Sequence, residues 1–116
     1  MGKWINWRVI AVKNYWYNDK LDWDGPACHE LAIAGSKVGD LKIVYVGETS
    51  NKKHRMASYA RSGSHLFKII RWHLKEGWYL YYRGCTCSSK RGAVEMQNRM
   101  LENYKYDWNI QLNPDD

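Results

Sequence analysis

The sequence predicts an α+β fold, with a small antiparallel β-sheet of three to four strands flanked by helices. Two runs carry this reading: ACHELAIA from Ala27 and LKIVYV from Leu41 are strand-like, and the polar, glycine-bearing turn between them makes an antiparallel hairpin. A third observation is the change of period after the hairpin, where apolar residues recur at helical spacing, return to strand, and then become helical again. At 116 residues the chain is expected to be one domain, too short for a separate recognition domain of ordinary size. Residues 1–24 read as an N-terminal extension and 25–109 as the core, with no repeat and no linker.

In order along the chain, Ile5, Trp7, Val9 and Ala11 alternate with other residues and suggest an extra edge strand. From Lys13 to Gly25 the chain is polar and aromatic and closes on Gly25-Pro26, which reads as a loop. Its Trp16, Tyr17 and Trp23 either cover the core or stack on bases. The hairpin follows. A helix from Asn51 to about Arg61 is expected next, and Ser62-Gly63 breaks it. Ser64 is placed to cap a second helix, with Leu66, Ile69, Ile70 and His73 on one face and a stop at Gly77. WYLYYRGCTC, from Trp78 to Cys87, is the third core strand. A long helix then presents Ala93, Met96, Met100, Leu101 and Tyr104 as its apolar stripe, with Gln97 in the middle. The tail from Tyr106 returns over the domain.

Function is most legible between Ile43 and Tyr59, IVYVGETSNKKHRMASY, which begins as strand and ends as a basic helix. Tyr45, Gly47 and Arg55 meet at one strand-to-helix corner. Helix-end amides and a guanidinium both favour oxyanions, so this corner suits a phosphate. The net charge is +6, and from Lys42 to Glu76 eight Lys and Arg stand against Glu48 and Glu76 alone. Clustering of that kind points to a polyanion, because such contacts release counterions. Lys52, Lys53, Arg61, Lys68 and Arg71 are the candidate contacts.

Seven Trp and nine Tyr against one Phe fit a binding face, because each of those rings carries a donor that prefers a wet edge or a partner, although most of the aromatics are expected to serve as core. Cys28, Cys85 and Cys87 do not form a disulfide framework, and no run approaches the length of a membrane span, so a reduced, intracellular (cytoplasmic) protein with no membrane partner is expected. Cys85 and Cys87 with His29 or His65 are an alternative zinc set, although C-x-C lacks the usual spacer. No glycine-rich nucleotide loop or base-flanked nucleophile is present.

From Gly25 to Asn109 these residues resemble the GIY-YIG endonucleases, a family with excision-repair, homing and type II restriction members. YVGETSNKKHR holds the second half of the signature, with Arg55 at the family spacing, and the element order also agrees. In the first half, Gly25-Pro26-Ala27-Cys28-His29 stands where Gly-Ile-Tyr is usual, so His29 replaces a tyrosine that helps deprotonate water. An imidazole titrating near ~6.5 can serve as that base.

The resemblance further implies that Arg55 holds the scissile phosphate, that Tyr45 orients water or phosphate, and that Tyr59 faces the same pocket. Asn109 matches an asparagine that closes the site, and His65 falls where some members carry a histidine. The glutamate that binds a single Mg²⁺ or Mn²⁺ falls on Gln97, a neutral amide and a poor ligand for a hard cation. Gln97 is either an inactivating exchange or the mark of a natural nuclease-like binder. The implied activity is hydrolysis of double-stranded DNA by metal-assisted water, with a homodimer expected if both strands are cut. The alternative is a nucleic-acid-binding module without cleavage.

Overall fold

The computed structural model describes residues 4, 6–13, 15–16, 25–35, 40–50 and 66–112. Five strands, β1 (Arg8–Val12), β2 (Tyr15–Trp16), β3 (Ala27–Ala34), β4 (Lys42–Thr49) and β5 (Tyr79–Thr86), form one antiparallel sheet in the order β2-β1-β5-β3-β4. The helices are α1 (Phe67–Lys75), α2 (Lys90–Asn103) and α3 (Asp107–Leu112). This is the α+β arrangement expected, with four full strands and the two-residue β2 outside β1. The N-terminal strand is real and lies beside β5. The expected loop from Lys13 is partly strand, because Lys13 turns the chain at φ 52° and Tyr15–Trp16 pairs back on β1.

Every residue of the interior strand β3 is buried, so its sequence is covered on both faces. On one face Leu31 and Ile33 join Tyr45, Tyr82 and the α1 residues Ile70 and Leu74 in the main core. On the other, Cys28 and Val46 pack with Tyr106 and with Met96 and Met100 of α2. Helix α1 stops as expected at Gly77, whose φ of +91° is the left-handed conformation that suits glycine. The expected helix from Asn51 to Arg61 and the Ser64 cap lie outside the described residues.

One expectation about the C-terminal part is corrected. Leu101 and Tyr104 are 39% and 64% exposed, so the stripe of α2 that meets the sheet is Ala93, Met96 and Met100. The tail returns over the domain as expected, through α3. It rounds the free edge of β4, sending Tyr106 to the α2 side and Trp108 into the α1-side core.

A bulge in the hairpin determines where Tyr45 points. Tyr45 pairs with Leu31 and Ile43 with Ala32, which leaves Val44 as the extra residue. Val44 and Tyr45 therefore both join the α1-side core, while Val46 faces α2.

Candidate active site

His29 of β3 is in register with Gly47 of β4 and with Gly84 of β5. Tyr45 stands two residues before Gly47 and so shares its face. The rings of His29 and Tyr45 have centroids 6.1 Å apart and are tilted by 43°. Gly47 makes the approach possible: a Cβ there would lie 2.8 Å from Tyr45 Cε2 and 3.1 Å from His29 Cε1. His29 is fully covered and Tyr45 is 7% exposed, so Tyr45 is the member of the pair that meets solvent.

Asn109 of α3 reaches the same strand from its outer edge. Its Oδ1 accepts from the Val46 N–H at 2.9 Å and its Nδ2 donates to the Val46 carbonyl at 3.0 Å. The amide thus holds the residue between Tyr45 and Gly47.

Three of the expected site residues, His29, Tyr45 and Asn109, therefore gather around β4. Gln97 is half-buried on α2, the helix packed on the other side of β3 and β4, and its side-chain amide makes no hydrogen bond to a described residue. Lys68 and Arg71 are exposed on α1, with the Arg71 guanidinium 5.7 Å from the Phe67 ring. Lys52, Lys53, Arg55, Tyr59, Arg61 and His65 lie outside the described residues. His73, read as a helix-face residue, is half-buried and bonded from Nδ1 to the Ile69 carbonyl at 2.8 Å, with the Trp72, Trp78 and Trp108 rings around it.

The three cysteines are buried free thiols. Cys28 and Cys85 are register partners on the α2 side, whereas the adjacent His29 points to the α1 side, so strand alternation separates His29 from the thiols. Burial, and then the neighbouring Cys87, pushes the Cys28 thiol from 9.0 up to about 12. Its Sγ lies 3.8 Å from Met100 Sδ.

A buried ionic network escaped the sequence reading. Glu30, 2% exposed, takes Arg83 Nε and Nη2 on Oε1, each at 2.7 Å, and the Tyr106 hydroxyl on Oε2, also at 2.7 Å. Burial and the bond to Glu30 both raise the Tyr106 pKa. The available signal was one acid inside ACHELAIA and one arginine inside WYLYYRGC, opposite charges within apolar strands. The described helices include none long and apolar enough to cross a membrane.

The geometry can hold an imidazole and a phenol together at the end of a strand that leads into a basic segment. The model of GIY-YIG domain-containing proteins matches residues 22–115. No curated protein and no solved structure matches the chain. Because the family match spans most of its length, the chain belongs to the GIY-YIG family.

Proposed function

We propose that the chain is a DNA endonuclease domain in which His29 and Tyr45 form the proton-handling half of the site. The carrying observation is the closure of the two rings over Gly47, at the end of the strand that runs on towards Arg55. The family is one of nucleases that act on DNA with a divalent metal ion. Tyr45 would meet the attacking water, and His29 beneath it would take the proton. Arg55 would counter charge on the phosphoryl oxygens, with Tyr59 beside it. Lys52, Lys53, Arg61, His65, Lys68 and Arg71 would carry the duplex. Asn109 would keep β4 in place. One domain, with residues 1–24 as an extension of a 25–109 core, would contain all of this in a reducing cytoplasm, paired with a second copy if both strands are cut.

The ion would be Mg²⁺ or Mn²⁺, and the described residues do not fit it as they stand. By the resemblance the family's carboxylate would fall on Gln97, an amide on the helix that packs across the sheet from Tyr45, and among the described residues no three His, Cys, Asp or Glu side chains gather into a metal site. The Gln97 amide is also what favours the second reading, a binding module of the same fold that does not cleave. Plasmid DNA incubated with Mg²⁺ separates the two. Gln97→Glu is expected to cut at least about 100-fold faster than the parent chain, while both bind. Binding by both without cutting by either defeats the endonuclease reading.

A further inference from the structure

On the α2 side of the sheet, facing away from His29 and Tyr45, the described residues enclose a groove of about 590 Å³. That volume is of the order small-molecule sites use. Its walls combine Trp4, Met96, Met100 and Tyr104, and Arg83 and Glu30 also line it. Arg99 and Lys105 add two more cations to the lining, where Glu30 is the carboxylate.

Arg83 is the informative residue. Glu30 Oε1 fixes its Nε and Nη2, and its Cζ lies 5.0 Å from the Trp4 ring and 4.7 Å from the Trp7 ring. One edge of the guanidinium is thus bound and its plane is flanked, yet 30% of the side chain is exposed. Its remaining N–H donors meet no other acceptor among the described residues. A fork held in this way loses little freedom when an oxyanion docks on its open edge. Beside it, the exposed Tyr104 ring and the two thioethers give a flat, polarisable surface for an aromatic ring.

An anion and an aromatic ring side by side are what a nucleotide presents. We propose that this groove binds a nucleotide unit, its phosphate on Arg83, Arg99 and Lys105 and its base against Trp4, Tyr104 and the methionines. The unit comes either from a free mononucleotide or from a single strand. The groove shares α2 with Gln97, but none of its lining residues is given a part in the endonuclease reading, so the two readings are tested separately.

The test is calorimetric titration of the full chain with 5′-dAMP, with a deoxyadenosine hexamer and with inorganic phosphate. Tyr104→Ala and Arg99→Glu alter exposed positions on or just after α2, and circular dichroism checks that both variants are folded. Each is expected to weaken dAMP binding at least about tenfold. A hexamer bound at least about tenfold tighter than dAMP, and weakened by the same variants, identifies a strand as the source; equal affinity identifies the free nucleotide. Arg83→Lys, which keeps a charge on Glu30 but removes the planar fork, should also weaken dAMP. The proposal is overturned if neither nucleotide probe saturates by about 5 mM, if both exposed variants bind like the parent, or if phosphate binds as well as dAMP. Plasmid cleavage enters none of these readouts, so failure here and failure of the nuclease reading are distinguishable.

Discussion

The side-chain amide of Asn109 pairs with the backbone of Val46 as a neighbouring strand would, accepting at 2.9 Å and donating at 3.0 Å. Strand β4 is an edge of the sheet, so these outward groups would otherwise be open to another chain. The bond also fixes the backbone between Tyr45 and Gly47. Asn109→Ala is expected to lower stability by about 1–3 kcal/mol in urea denaturation. Asn109→Asp keeps the acceptor and loses the donor, so it should fall between parent and alanine. If the alanine variant is as stable as the parent, the clamp contributes nothing.

Gly47 is a contact position rather than a flexible one. The Cβ of an alanine would come 2.8 Å from Tyr45 Cε2 and 3.1 Å from the Tyr45 hydroxyl and His29 Cε1, and buried rings cannot swing aside. Gly47→Ala should cost about 1–3 kcal/mol and displace both rings, seen as shifted His29 and Tyr45 ring signals in NMR spectra. Gly35→Ala is the control. Nothing lies within 4 Å of a Cβ there, so its stability should stay within about 0.5 kcal/mol of the parent. Similar losses from the two changes would show that glycine freedom, not ring crowding, is at stake.

Removing one partner of the Glu30–Arg83 pair leaves the other charge uncompensated. Arg83→Met is expected to destabilise the fold by about 3–5 kcal/mol, since Glu30 is 2% exposed and would retain the Tyr106 hydroxyl as its partner. Replacing both, as Glu30→Met with Arg83→Met, should recover most of that loss. Thermal melts of the single and double variants decide it, and additive losses would mean the two side chains are not coupled.

These residues also show what the sequence made legible. The hairpin and the α1 stop at Gly77 rest on local signals, alternation and a glycine past the last periodic residue, whereas a shared site for His29 and Tyr45 was suggested only by the family resemblance. The Glu30–Arg83 pair was missed because a charge in a strand ordinarily marks a solvent face, and only cover on both faces of β3 makes it internal. Helix α3 was missed because DWNIQL is too short to show a period. Leu101 and Tyr104 satisfied the helical spacing, yet the far end of α2 leaves them exposed, and periodicity cannot say how far the sheet extends beneath a helix.

Cys28 links burial to pH. Its thiol is lifted from 9.0 to about 12, chiefly by burial and next by Cys87, so the folded state keeps a proton that the unfolded chain gives up. A pKa raised on folding contributes stability that is complete below pH 9 and is lost as pH rises towards 12. Three units correspond to an upper bound of about 4 kcal/mol. Melting temperature should therefore fall steeply over that window, and Cys28→Ala, although less stable at neutral pH, should show a flatter decline. The same shift keeps the thiolate scarce. Iodoacetamide at pH 8 should leave Cys28 unmodified in the folded chain and alkylate it readily in urea, whereas rapid labelling of the native protein would mean that the strand pair β3–β5 opens at this point.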